Sequence, residues 1–331
     1  MPQHIMPSLD QLPRTSLAFL PTPLHEAPNL SRTLGGPRLF IKRDDLTGLA
    51  FGGNKARKLE FLIADALAKG ANVLITTGAA QSNHCRQTAA AACKVGLRCV
   101  LVLTPSHHEE FQGNILLDTL LKAEVVRCSA AAQAETLARV ASEERAKGNT
   151  PYVIPVGGST GVGAMGYAAM MGELGAQLRA QALAPAAMYF SSGSAGTHAG
   201  MFLGKRLFNL DLALVGVSPS RPAGHVRAEA AAIAGEGARI LGIDVTAEPA
   251  EFTVEDAFVG PGYGINTPAS LEAVRLFAET EGILIDPVYT AKAAAAMIAH
   301  IRAGRFLPDQ TVLFLHTGGT PALFSYAEDF A

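Results

Sequence analysis

Cysteine is scarce and scattered. The 331 residues hold four, Cys85, Cys93, Cys99 and Cys128, with no CxxC pair and no histidine at zinc-ligand spacing, so no metal is implied and the thiols read as reduced. Charge is sparse as well. Only 17% of residues are charged, the net charge is −2 and there is no basic block, which gives neither nucleic acid nor an anionic membrane surface anything to bind. No apolar run approaches the length of a membrane span, and the opening residues lack the basic and apolar regions of a secretory leader. The expectation is therefore a cytoplasmic protein. No internal repeat, linker or low-complexity tract interrupts the chain. What remains is 49% hydrophobic with 33 glycines, a composition that fits an α/β enzyme of one large or two moderate domains.

The stretch from Leu39 to Lys69 organises the chain. A short apolar strand, Leu39 to Ile41, ends in charge, and a loop holding Gly52 and Gly53 leads to Lys55 at the start of an amphipathic helix. Glycines let backbone approach a flat ligand, and a lysine aimed from such a turn is a Schiff-base candidate. GGNKARK reads equally as a helix start with solvated basic residues.

Residues 1 to about 35 look like an irregular arm, with extended backbone around Thr22 between Pro21 and Pro23. Beyond Lys69 the chain alternates: strands at Asn72 to Thr76, Cys99 to Leu103, Glu124 to Arg127 and Tyr152 to Val156, with helices between them. That spacing predicts a doubly wound parallel unit over about 56–160. A second series follows, with helices at Met165 to Gln181, Ala199 to Phe208, Val226 to Ala234, Pro268 to Glu281 and Thr290 to Ala303, and strands at Ala187 to Phe190, Leu212 to Val217 and Thr311 to Leu315. The expected fold is α/β: two open, twisted parallel-sheet domains with a cleft between them, residues 1–55 and 161–331 forming the large one and 56–160 the small one inserted in it.

Several loops carry candidate chemistry. GAAQSNH (Gly78 to His84) joins a strand to a helix, where open sheets bind ligands. Ser82 and Asn83 there either donate to an anionic or phenolic oxygen or cap the helix. SSGSAGTHAG (Ser191 to Gly200) opens another helix with N–H groups able to converge on a phosphate. Gly161 to Gly166 spells GxGxxG, yet the next strand ends in Ser191 and Ser192 instead of the acidic residue a dinucleotide requires, so an NAD-dependent oxidoreductase is disfavoured. Tyr263 in GPGYG, Tyr289 in DPVYT and Thr317 in HTGG sit where a side chain is presented to a ligand or simply packed. His107, His108, Glu109 and Glu110 read as a solvated loop.

Taken together, GGNKxRKLEFL, QSNHxRQTAA, PVGG, SGSAGTHAG, PGYG, DPVYT and HTGGxPALF resemble the D-cysteine desulfhydrase and 1-aminocyclopropane-1-carboxylate (ACC) deaminase family of pyridoxal 5'-phosphate (PLP) enzymes, over about residues 18–326. The resemblance implies PLP fold type II, with the cofactor in the cleft, and a homodimer. It makes Lys55 the cofactor-bonding lysine, with Asn54 and Thr317 beside the cofactor. Asn83 meets the phenolic oxygen, and Ser194, Ala195, Gly196 and Thr197 cradle the phosphate. Ser82, Tyr263 and Tyr289 are implied in catalysis; these three with Asn83, His84, Gly158 and Ser159 form the substrate side.

Thr290 and Thr317 stand where the deaminases of that family carry glutamate and leucine. A carboxylate at the pyridine nitrogen keeps the ring a strong electron sink, whereas a neutral hydroxyl suits loss of a good leaving group from Cβ. The expected reaction is therefore β-elimination from a small amino acid, D-cysteine to pyruvate, ammonia and hydrogen sulfide, with L-cysteate sulfo-lyase and then ACC deaminase as alternatives.

Overall fold

The computed structural model of the protein describes residues 9–331. After a 3₁₀ turn come β1 (Leu24–Glu26), α1 (Pro28–Leu34), β2 (Arg38–Arg43) and α2 (Asn54–Ala68). The small-sheet region follows as β3 (Val73–Ala79), α3 (Asn83–Val95), β4 (Arg98–Thr104), α4 (Gly113–Leu120), β5 (Glu124–Arg127), α5 (Gln133–Ala146) and β6 (Pro151–Ile154). The chain then forms α6 (Gly161–Ala180), β7 (Pro185–Ser191), α7 (Gly196–Leu207), β8 (Ala213–Val217) and α8 (Ala223–Leu241). It ends in β9 (Thr253–Glu255), α9 (Pro268–Glu281), α10 (Thr290–Arg302), β10 (Thr311–His316) and a 3₁₀ segment, Thr320–Phe330.

Two separate sheets result, of order β1-β2-β10-β7-β8-β9 and β5-β4-β3-β6. Every pairing is parallel except that of β1 with β2. Strands such as β10 (TVLFLH), buried at every residue, read as unbroken apolar runs because helices cover both faces of a parallel sheet. The expected alternation and the α/β class are present. The irregular arm is a correction: residues 1–8 lie outside the described ones, but 24–34 form β1 and α1, the helix opening with Pro28 and closing on Gly35 in the left-handed region. β9 was too short to announce itself.

Helix α2 lies between the sheets. Its Leu59, Leu62, Ile63 and Ala66 pack with β3, β4 and α3, while Phe61 packs with α6, α7 and α8. The GxGxxG run opens α6, and it serves packing: a Cβ on Gly166 would lie 2.3 Å from the Arg57 carbonyl oxygen. Arg57 in turn ties α2 to the end of β2 and to α6. Its guanidinium donates twice to Asp44 (2.8 and 2.9 Å) and to Glu173 (2.9 Å), and Tyr167 donates to Asp44 at 2.6 Å. Burial alone raises the Asp44 carboxyl, but Arg57, with Lys42 and Tyr167, outweighs it and holds the group below its ordinary value.

Candidate active site

The carboxyl ends of β3, β7 and β10 and the start of α2 enclose a cavity of about 260 Å³, the place where an open α/β sheet presents loops to a ligand. Lys55 reaches it from the first turn of α2. That turn is pinned three ways. Gly53, at φ 127°, donates to Thr47 Oγ1 (2.7 Å), Asn54 N to the Thr317 carbonyl (2.9 Å) and Ala56 N to Gln87 Oε1 (2.8 Å). A side chain at residue 53 would strike Gln87 Nε2 at 2.6 Å, so glycine is required there. The Lys55 amine makes no hydrogen bond to a described residue, and desolvation brings it down to about 8, against the opposing pull of Asp286.

Beside it, the QSNH turn opens α3. Ser82 is both cap and wall: its Oγ accepts from Cys85 N at 3.3 Å while lining the cavity. Asn83 Oδ1 accepts from Arg86 Nη1 and from Asn114 Nδ2, each at 3.0 Å, which fixes the amide with its NH₂ free as a donor. Thr76 gives its one hydroxyl hydrogen to the Ile154 carbonyl at 2.8 Å and so accepts from His84 Nε2 at 2.8 Å. His84 Nδ1 is buried with no hydrogen bond of good geometry, although the Pro155 backbone comes close enough to the ring to oppose its downward shift. Burial, then Lys55 and Lys58, hold that imidazole well below its ordinary value, and therefore neutral.

The SSGSAGT loop forms an adjoining wall. Ser191, Ser192, Gly193, Ser194, Ala195 and Thr197 line the cavity, and Ser191 Oγ is buried with no partner. Asn54 Nδ2 donates to Thr197 Oγ1 at 3.1 Å. Behind this loop lies Lys58, a residue that sequence reasoning missed. It is 1% exposed, donates to the Gly157 carbonyl (3.1 Å) and Ser159 Oγ (3.4 Å), and makes no ion pair with a described residue. Ser159 Oγ donates to Ser194 Oγ at 2.8 Å, and a Cβ on Gly196 would come within 2.8 Å of Lys58 Nζ. Burial, then the like charge of Lys55, depress Lys58 well below an ordinary lysine. Gly157 lines the cavity where Gly158, buried beneath Leu62, does not, and Ser159 and Gly196 lie just behind the lining residues, against Lys58.

Tyr263 and Tyr289 close a further side of the cavity, their hydroxyls 2.6 Å apart. Lys292, also missed, fixes the loop that carries Tyr263 by donating to the carbonyls of Pro219 (3.1 Å), Val259 (2.7 Å) and Gly262 (2.8 Å). Thr317 lines the cavity, but Thr290 does not. The Thr290 hydroxyl donates to Asp286 Oδ1 at 2.6 Å, and Asp286 also accepts the backbone N–H groups of Val288, Tyr289 and Thr290. His108 turns onto the Tyr326 ring 3.9 Å from Glu110, Glu109 pairs with Arg127, and the run forms no group of three metal-ligating side chains among the described residues.

Sequence comparison decides the family. The pyridoxal-phosphate dependent enzyme profile matches residues 15–318. The chain belongs to that family. It is 45% identical over 332 residues to the D-cysteine desulfhydrase of Salmonella choleraesuis (strain SC-B67), covering 98% of this chain and 99% of that one. The corresponding protein of Salmonella newport (strain SL254) is 44% identical over the same span. Among solved structures, an ACC deaminase homologue superposes with a TM-score of 0.89 at 37% identity, over 97% of this chain and 96% of its own. A T.th. threonine deaminase, at 23% identity and a TM-score of 0.64 over 90% and 92% of the two chains, shares the fold. The cleft suits the family's cofactor. A buried Ser191 hydroxyl without a partner, a Lys58 amine with no carboxylate beside it, and Gly157 and Gly196, whose Cβ atoms would meet Ser194 Oγ and Lys58 Nζ, are compatible with a phosphate group.

Proposed function

We propose that this chain catalyses PLP-dependent β-elimination, converting D-cysteine to pyruvate, ammonia and hydrogen sulfide. One observation carries the reading most: among the described residues, no aspartate or glutamate lines the cavity. Asp286 lies behind the wall with its oxygens taken up by α10, so Thr317 is the neutral hydroxyl available to the cofactor ring. A weak electron sink suffices where thiolate leaves from Cβ and fails where a cyclopropane must open. The desulfhydrase names of the Salmonella relatives point the same way.

When bound, PLP supplies an electrophilic carbon for Lys55 and a π-system that accepts the Cα electrons. The chain's own groups do the rest. Ser194, Ala195, Gly196 and Thr197, with Lys58 behind them, hold the phosphate, and Asn54 braces Thr197. The free NH₂ of Asn83 meets the phenolic oxygen. Ser82 and the N-terminal N–H groups of α3 receive the substrate carboxylate, and His84 Nδ1 offers an acceptor to the substrate ammonium. Lys55, near 8, is the base for the Cα proton. Tyr263, pushed by burial to about 12, and Tyr289, also raised well above its ordinary value by burial, keep their protons at neutral pH and so donate to the departing sulfur. The Arg221 guanidinium also borders the cavity, its Nη1 donating to both Glu229 oxygens.

The reading extends to domain organisation, with 1–55 and 161–331 as the large unit and 56–160 as the small one, supported by the two separate sheets, and to a cytoplasmic homodimer. Among the described residues no helix is long and apolar enough to cross a membrane. The test is pyruvate release from the PLP-loaded enzyme given D-cysteine, L-cysteine, L-cysteate and ACC in parallel, with sulfide and sulfite assayed beside it. Pyruvate with sulfide from D-cysteine is expected; sulfite from cysteate alone, or 2-oxobutyrate from ACC, overturns the substrate assignment.

A further inference from the structure

Arg86 is wholly buried, 0% exposed, one turn beyond Asn83 on α3, and it does not border the cavity. Its fork reaches two ways. Nη1 donates to Asn83 Oδ1 (3.0 Å) and to Asn114 Oδ1 (2.8 Å), and Nη2 donates to the Gly52 carbonyl (2.9 Å). Gly52 stands at the head of the turn that presents Lys55, at φ 66°, where a Cβ would lie 2.1 Å from the Asp45 carbonyl oxygen. One guanidinium therefore ties an amide on the cavity wall to the turn that carries the lysine. Gln87 repeats the tie one residue on, through its contacts with Ala56 N and Gly53. Asn114, in the first turn of α4, closes the other side: its Nδ2 donates to Asn83 Oδ1 (3.0 Å) and to the Gln81 carbonyl (2.8 Å). Both lone pairs of the Asn83 oxygen are thus taken.

The partners that Arg86 lacks bear on its role as well. A guanidinium held for stability pairs two N–H groups with one carboxylate. Asp118, one turn beyond Asn114 on α4, is 1% exposed and within electrostatic reach of Arg86, yet neither of its oxygens has a hydrogen-bond partner among the described residues, and nor does Arg86 Nε. Arg86 gives its Nη donors to three neutral oxygens instead. Burial brings it down to about 10 against the pull of Asp118 and Asp286, so it is a cation at neutral pH. A buried cation without a bonded carboxylate is costly. What this one supplies is direction, because the two loops it joins keep their spacing. It also strengthens the amide, since a carbonyl oxygen bonded to a cation leaves its own NH₂ a better donor.

We infer that Arg86 is a positioning residue of this site, holding the Asn83 amide against the Lys55 turn and polarising it toward the phenolic oxygen of the cofactor. This rests on the reading of Asn83 given above.

In the experiment, apo-protein is titrated with PLP for the unaltered chain, Arg86→Lys, Asn83→Ala and the double variant. The visible band of the bound cofactor and the apo thermal midpoint are recorded for each. Lysine keeps the charge but cannot span Asn83 and Gly52 together. Arg86→Lys is expected to weaken PLP binding about tenfold, the worth of one charge-assisted hydrogen bond, and to shift the visible band in the same direction as Asn83→Ala. In the Asn83→Ala background the same substitution should cost less than about twofold, because its effect passes through the amide. Equal losses in both backgrounds, or unchanged affinity in Arg86→Lys, overturn the inference and leave the reading of Asn83 standing. If Asn83→Ala itself changes neither affinity nor band, that reading fails and takes the inference with it. Where Arg86→Lys shows no cooperative apo transition, Arg86→Met with Asp118→Leu, which removes both buried charges together, takes its place in the same cycle, and the same outcomes decide.

Discussion

Tyr263 and Tyr289 share one short hydrogen bond, 2.6 Å between hydroxyl oxygens, with their rings edge to face at 67°. Only one of the two can donate along that line, so the other's hydrogen is free to point at a departing atom. The pair should therefore behave as a single acid. Tyr263→Phe and Tyr289→Phe are each expected to lower kcat for D-cysteine by about 100-fold, the lower range for a positioned acid, with cofactor absorbance retained. The double variant should be no worse than either single. A multiplicative loss in the double variant would show two independent roles.

Lys55 sets the pH behaviour of cofactor capture. Its amine is brought from 10.5 to about 8 by burial, and only the neutral amine attacks an aldehyde. The rate at which apo-protein gains visible absorbance on adding PLP should climb with pH and level off just above 8, whereas an ordinary surface lysine would keep climbing to about 10.4. Lys55→Ala should show no covalent absorbance change and no turnover. A plateau delayed beyond pH 10 would contradict the desolvated placement of Lys55.

Much of this site was legible in the sequence because its backbone needs leave marks. Gly52 and Gly53 before Lys55 answer to positive φ and to the close approach of Gln87, and the serines and glycines of residues 191–197 answer to a helix N-terminus built to face an anion. Lys58 was hidden for the opposite reason. In NKARKLE it reads as one more solvated base on a helix, and only the fold shows its ammonium shut in with Gly157 and Ser159. Thr290 failed in a third way. Its place in DPVYT suggested a ring contact, but Asp286 caps the first turn of α10 and claims the hydroxyl. That Asx-type competition is local, and an aspartate four residues ahead of a helical threonine was the available signal. Pairings across distant segments, such as Lys292 with 259 and 262, leave no such mark.

Lys58 should trade stability for affinity. An ammonium 1% exposed with no carboxylate partner is costly, and its pKa is lowered in the folded state. A base with a depressed folded pKa penalises folding in full below that value. Between it and the unfolded 10.5 the unfolded chain holds the extra proton, so the penalty is relieved as pH rises. Lys58→Met should therefore raise the thermal midpoint of apo-protein, by the equivalent of about 1–3 kcal/mol, more at about pH 6 than at about pH 10. The same change should weaken PLP binding at least about tenfold through loss of a charged hydrogen bond. A less stable apo-variant with unchanged PLP affinity would make Lys58 a structural residue.

Lys292 does not border the cavity but should act on catalysis through the Tyr263 loop. Its ammonium is drawn down to about 8 by burial against the pull of Asp286, and its three hydrogens go to three carbonyls, one of them on Gly262, the residue before Tyr263. Methionine has a similar length and no donor, so Lys292→Met leaves those carbonyls unpaired and frees the Tyr263 loop. A loose catalytic group costs turnover more than binding, and misplacement by about 1 Å is worth about 100-fold. The expected signature is a kcat lowered by that order with PLP affinity unchanged, because the phosphate cradle and Asn83 are held by other elements. Combined with Tyr263→Phe, the loss should not deepen, since both changes remove the same hydroxyl from its place. A Lys292→Met enzyme that keeps kcat but binds PLP poorly would instead tie Lys292 to the cofactor wall at Pro219 and Ser220.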